Sequence, residues 1–200
     1  MQDYRLKFKH SDLELLYSYA KKSKFAIETG TGISTEYIAR ALKKSNGLFC
    51  TIDINLPLEK DRISNVIYLK GWTITHKDFV SETDPCFVRS NCARVYEKEA
   101  LTCPEAMVGE KDLIRRTLKK HHDLKLDFFF SDSGEYCGLP EWRIVRDVIK
   151  VGGQFAAHDI YYPKSVKNFK VVDEIEKSPN WKVLVKTDTK QGLCIAEKLK

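Results

Sequence analysis

The stretch Ile27-Glu28-Thr29-Gly30-Thr31-Gly32-Ile33-Ser34-Thr35 decides how this chain is read. Before it, Lys24-Phe25-Ala26-Ile27-Glu28 is a short apolar run of buried-strand type. The run breaks at two glycines, which let the backbone turn tightly and approach a ligand closely. Ser34 or Thr35 then caps a helix carried by Tyr37, Ile38, Ala41 and Leu42, which closes around Asn46-Gly47. The N-terminal amides of that helix point back at the glycine turn.

Working outward, Leu13, Leu16, Tyr17 and Ala20 predict a helix over 12–22. Leu48 to Ile52 is a second strand ending at Asp53, and Asn65 to Leu69 a third, stopping at Gly71-Trp72. A fourth strand spans Leu126 to Ser131, and a fifth spans Gln154 to His158 after a helix from Leu139 to Lys150. Further helices are expected over 110–121 and 166–177. A closing hairpin joins Trp181–Lys186 to Gly192–Glu197 through the turn-rich 187–191. Strands alternating with helices give an α/β, Rossmann-like three-layer sandwich: a seven-stranded, mostly parallel sheet with one antiparallel strand in the C-terminal hairpin. Residues 1–200 read as a single domain with an insertion at about 73–120.

The chain has 200 residues, 42% of them hydrophobic and 31% charged, which excludes a wholly disordered protein. No apolar run approaches the roughly 20 residues of a membrane span, and residues 1–20 carry no signal-peptide pattern. A cytoplasmic protein with no membrane partner is expected. The six cysteines, 50, 86, 92, 103, 137 and 194, form no CxxC pair, so reduced thiols are expected rather than disulfides or structural zinc. The net charge of +6 suits an anionic ligand or nucleic acid without requiring one. A basic stretch at Arg115-Arg116 and Lys119-Lys120-His121-His122 leaves nucleic acid open as a partner, with a solvated helix face as the default.

Asp53 lies 21 residues beyond Gly32, at the end of the second strand, where an acidic side chain can accept both hydroxyls of an adenosine ribose. These residues admit either a nicotinamide dinucleotide or S-adenosyl-L-methionine. A dinucleotide fingerprint has a third glycine where this chain has Thr35, and Glu28 sits poorly beside a pyrophosphate. A cationic, phosphate-free cofactor suits the motif better.

Glu28-Thr-Gly-Thr-Gly-Ile-Ser-Thr resembles the first motif of the class I S-adenosylmethionine-dependent methyltransferases, Asp53 their second acidic position, and the hairpin Trp181–Glu197 their last two strands. The resemblance implies cofactor binding by Glu28, Gly30, Thr31, Gly32, Ser34, Asp53, Trp72 and Asp132. The run from Phe129 through Asp132 to Tyr136, with Val151 to Phe155 and His158-Asp159, is similar to the small-molecule O-methyltransferase-like branch of the methyltransferase domain 24 type. In cation-dependent members of that branch, carboxylates at these two strand ends hold Mg2+. By that analogy Asp132 and Asp159 are metal ligands, and Asp132, His158 and Asp159 are catalytic, with His158 a further ligand or a general base. Two carboxylates at the carboxyl ends of neighbouring parallel strands suit a hard divalent cation. The chain departs from the pattern in two places: Glu135 and Tyr136 replace the usual His after Asp132, and His158 stands where an acidic residue is usual.

The expected reaction is methyl transfer to an oxygen of a small-molecule acceptor. Methylation of RNA or another nucleic acid, and a non-catalytic cofactor-binding role, are the alternatives. The insertion at 73–120 is the expected lid, substrate element or homo-oligomer contact, with Phe79, Phe87, Trp72 and Tyr96 as an aromatic lining.

Overall fold

The computed structural model describes residues 10–75, 77–78, 109–134, 137–162, 164–165 and 167–200. In chain order these form α1 (His10–Ala20), β1 (Phe25–Thr29), α2 (Ile33–Ser45), β2 (Leu48–Asp53), β3 (Ile67–Lys70), α3 (Leu113–Lys120), β4 (Leu126–Ser131), α4 (Gly138–Val145), β5 (Ile149–His158), α5 (Phe169–Lys177), β6 (Trp181–Lys186) and β7 (Leu193–Lys198). All seven strands join one sheet in the order β3-β2-β1-β4-β5-β7-β6. The pairs among β1 to β5 are parallel, and β7 runs antiparallel to both β5 and β6. The expected sheet, with its one antiparallel strand, is the one observed.

Strand alternation distributes the side chains between two cores. Ile27, Cys50, Ile52, Phe129 and Phe155 face the layer of α3, α4 and α5, where they meet Ile114, Trp142, Val145, Val171 and Ile175. Ala26, Phe49, Phe128, Phe130 and Ile195 face α1 and α2, where they meet Leu16, Ile38 and Leu42. The three consecutive phenylalanines of β4 therefore serve both layers, which explains why β4 carries no polar alternation.

Several boundaries differ from the expected ones, and α2 is capped at Gly32 rather than at Ser34 or Thr35. The helix after β4 ends at Val145, and β5 starts at Ile149 rather than Gln154. Leu126 pairs with Ile149 and Phe128 with Gln154, so β5 bulges between them, at a place where Gly152 adopts φ +77°. The last long helix starts at Phe169, because Lys167 and Asn168 are drawn onto the strand ends instead. Helix α3 begins at Leu113, after Asp112 in a left-handed conformation. Phe79, Phe87, Tyr96, Cys86, Cys92 and Cys103 lie outside the described residues. Cys50, Cys137 and Cys194 are free and buried, and burial pushes each thiol up to about 12.

Candidate functional site

Strand order reverses between β1 and β4, since the chain moves outward through β2 and β3 before β4 returns to the other side of β1. Loops leaving the carboxyl ends on either side of such a point diverge and open a crevice. Gly30 sits at that split. Its N–H donates to Ile52 O at 2.9 Å on one side, while Asp132 N–H donates to Thr29 O at 2.9 Å on the other. Its φ is +87°, and a Cβ there would stand 2.3 Å from Asp132 O, so both conformation and space demand glycine.

The β1–α2 side of the crevice is organised by Glu28. Position 28 faces the α1–α2 layer, as does its partner across the strands, Thr51. The fully buried Glu28 carboxylate accepts hydrogen bonds from Ser34 Oγ (2.6 Å), Thr35 Oγ1 (2.6 Å) and Thr51 Oγ1 (2.8 Å). Thr35 Oγ1 in turn accepts the Gly32 N–H at 3.0 Å. Burial pushes the Glu28 carboxyl up to about 8, against the pull of its three hydroxyl donors. Two expected cofactor contacts, Glu28 and Ser34, are thus turned inward and bonded to each other. They shape the glycine loop from behind because the crevice side is occupied by backbone.

Thr31 and Gly32 lie in the loop between β1 and α2, and Asp53 ends β2 beside them. Asp53 Oδ2 accepts the Thr31 N–H and Oδ1 the Asn55 N–H, both at 2.8 Å. Burial raises the Asp53 carboxyl above its ordinary value even though backbone amides favour its charged form. Gly32 is exposed, and a Cβ on it would meet nothing within 4 Å. Trp72 follows β3, one strand beyond Asp53, half-buried. Its backbone is pinned by bonds between Trp72 N and Glu110 O (2.8 Å) and between Leu113 N and Trp72 O (3.2 Å).

The β4–β5 side is built from charge. Asp132, His158 and Asp159 come together, their ligand atoms all within 4.8 Å of one another. His158 Nδ1 lies 3.4 Å from Asp132 Oδ1 and 3.7 Å from Asp159 Oδ1. Between the two carboxylates stands the ammonium of Lys167, 2.8 Å from Asp132 Oδ1 and 2.7 Å from Asp159 Oδ2. Burial works against the Asp132 charge, yet Lys167 and His158 hold its carboxyl down, to about 2. Burial likewise works against the Lys167 charge, and the two aspartates outweigh it, holding the ammonium above the ordinary lysine range. Asp159 adopts a left-handed backbone, φ 59°, a conformation rare outside glycine, asparagine and aspartate.

Three residues that sequence reasoning passed over complete the site. Glu141 of α4 is fully buried on the opposite face of the sheet from Glu28. It accepts hydrogen bonds from Thr29 Oγ1 (2.8 Å), Ser131 Oγ (2.9 Å) and Ser133 Oγ (2.6 Å), and burial raises its carboxyl above the usual range. Asn168 Nδ2 donates to His158 O at 2.8 Å and Ser131 O at 3.2 Å, stitching β4 to β5 where they part. Lys167 is the third. A glutamate in the first turn of a helix beginning at a glycine, facing a strand that ends in serine, is the available sequence signal for Glu141. Lys167 and Asn168 have none, being 35 and 37 residues from the β4 groups they bind.

The basic stretch on α3 is partly neutralised. Arg115 makes a two-pronged pair with Asp78, both N–O distances 2.8 Å, and bonds Asp112 at 2.7 Å, while Arg116 pairs with Glu110. The Arg115 guanidinium holds the Asp78 carboxyl well below the usual range.

A scan against protein-family models and a search of curated proteins each found no match to this sequence. Solved structures do match in fold. An O-methyltransferase from Bacillus cereus in complex with SAH is 15% identical, with a TM-score of 0.53 over 96% of this chain and 82% of that one. A methyltransferase from Geobacter sulfurreducens is 14% identical, with a TM-score of 0.59 over 96% and 80%. MycE, a methyltransferase of the mycinamycin biosynthetic pathway in complex with Mg and SAH, is 10% identical, with a TM-score of 0.57 over 96% of this chain and 49% of its own. The chain has the fold of the S-adenosylmethionine-dependent methyltransferases.

Proposed function

We propose that this protein transfers a methyl group from S-adenosyl-L-methionine to an oxygen of a small-molecule acceptor. The observation that carries the reading is the reversal of strand order at the β1–β4 split, with a glycine loop and Asp53 on one side and Asp132 on the other. The donor set fits the cofactor. The Asp53 carboxylate accepts backbone N–H bonds, from Thr31 on Oδ2 and from Asn55 on Oδ1, and keeps lone-pair capacity for a ribose hydroxyl. Gly32 leaves the loop open where a ligand would approach, and Trp72 borders the side on which an adenine ring would extend.

When bound, the cofactor supplies an electrophilic methyl on a sulfonium. On the acceptor side, Asp132 is the most accessible of the charged groups, its side chain 16% exposed against 0% for His158, 3% for Asp159 and 6% for Lys167. Asp132 therefore receives the acceptor hydroxyl and aligns its oxygen. The glycine-loop amides and Asp53 would hold the cofactor, which would supply the methyl, while the ionised Asp132, paired with Lys167 and His158, would accept a hydrogen bond from the acceptor hydroxyl and so orient its oxygen. Alkyl transfer of this kind gains most from proximity and alignment. The cation-assisted version of the reaction needs a metal between Asp132 and Asp159, where the Lys167 ammonium stands. The metal does not fit the site in this arrangement.

A small acceptor is favoured over nucleic acid because Arg115 and Arg116 are already paired with acidic neighbours. Action in the cytoplasm is part of the same reading, in keeping with the three buried reduced thiols. Calorimetric titration with S-adenosylhomocysteine and separately with NAD tests the proposal. Micromolar binding of the first and none of the second is expected, whereas the reverse would overturn it.

A further inference from the structure

We propose that Lys167 is the resident cation of the acceptor site, standing where cation-dependent enzymes of this fold hold a divalent metal and fixing Asp132 without one. The proposal rests on the methyl-transfer reading for the meaning of "acceptor", but not for the chemistry of the cluster.

A buried carboxylate beside a partly buried one is stabilised in its charged form by a positive charge between the two. Lys167 Nζ meets that need with one short bond to each aspartate, and a third, longer contact of 3.4 Å to Asp132 O. A magnesium-type ion at the same point needs oxygen ligands at about 2.1 Å and several retained waters. The nearly buried lysine fills that volume. Its placement is enforced from its own backbone: Lys167 N–H donates to Ser165 Oγ at 3.1 Å, and the next residue, Asn168, is tied to both strand ends. At Gly138 a Cβ would stand 2.4 Å from Lys167 O and 2.3 Å from Asn168 Oδ1, so the start of α4 clamps the same loop. Asp159 turns its carboxylate onto Nζ through a left-handed backbone and leaves Oδ1 buried with no hydrogen-bond partner among the described residues. The His158 Nδ1 atom, 3.7 Å from that oxygen, stands just outside hydrogen-bond reach. Lys167 acts through Asp132, and so is a positioning residue.

The test is Mn2+ titration of the purified full chain, followed by the paramagnetic resonance of free Mn2+. Wild type is expected to leave free Mn2+ undepleted up to millimolar concentration. Lys167→Ala is expected to gain a site at least roughly tenfold tighter than any in wild type, and Asp132→Asn in that background to lose it. A merely structural lysine would not exchange for a metal. Micromolar Mn2+ binding by wild type, or no gain in the variant, would overturn the proposal. Should Lys167→Ala not fold, Lys167→Met replaces it under the same criteria. In wild type itself, amine acetylation mapped by mass spectrometry should leave Lys167 unlabelled with and without Mn2+, and labelling induced by Mn2+ would count against the proposal. S-adenosylhomocysteine titration on the same samples is read separately. Its failure sinks the methyl-transfer reading and leaves the metal result intact.

Discussion

The two sides of the crevice hold their carboxylates by different means. On the β1–α2 side Glu28 is surrounded by neutral hydroxyls, and burial keeps its carboxyl protonated toward neutral pH. On the β4–β5 side Asp132 and Asp159 share a buried ammonium, which with His158 holds the Asp132 carboxyl down, to about 2. On the proposed reading, the glycine-loop amides and Asp53 would meet the cofactor. An acceptor hydroxyl needs a fixed negative charge that orients it. The contrast is between a carboxyl whose charge burial suppresses and a carboxylate whose charge a neighbouring ammonium maintains.

Removing a member of the ion cluster is the harshest way to break this comparison. Asp159→Ala leaves Lys167 with one carboxylate partner and is expected to cost about 3–5 kcal/mol in urea unfolding. Ser34→Ala on the hydroxyl side should cost only about 1 kcal/mol. Equal costs would mean that the two sides do not differ in kind.

The pH dependence of stability should also differ in sign between the sides. The folded Glu28 carboxyl keeps its proton up to about 8, whereas the unfolded one releases it near 4.5. Stability is therefore lost as pH rises through that window, by a few kcal/mol. Glu28→Gln should flatten the fall in unfolding free energy between pH 5 and pH 8. Asp132 behaves oppositely. Its folded value is held below the ordinary 3.8, so its contribution is present above that pH and lost as pH falls toward about 2. Asp132→Asn should therefore lessen the acid sensitivity and leave the alkaline slope in place.

The two glycines sharpen the geometry. Gly30→Ala places a Cβ against Asp132 O at positive φ and should cost ~2 kcal/mol or more, with loss of S-adenosylhomocysteine binding. Gly32→Ala meets open space in extended backbone, so its melting temperature should stay near wild type while ligand affinity falls. The smallest effect expected is at Asp53→Asn. It keeps one acceptor oxygen for the loop but weakens the ribose site, lowering affinity roughly tenfold by calorimetry.

Reading outward from residues 27–35 was enough for the sheet, its alternating helices and the antiparallel return, because strand and helix periodicity and glycine turns are local properties of the chain. The same locality made the Gly30–Gly32 loop and Asp53 legible, since the loop is formed by residues only a few positions apart and Asp53 ends the very next strand. Sequence also marked Asp132, His158 and Asp159 as strand-end chemistry. Which way Glu28 and Ser34 point was decided by the sheet face on which position 28 falls and by the hydroxyl of Thr51 on the next strand. The lysine standing between the two strand-end carboxylates becomes visible only in three dimensions. Lys167 reaches Asp132 across 35 residues of chain, through a loop held by Asn168 and clamped at Gly138, and no periodicity or spacing in a single sequence encodes a contact of that range.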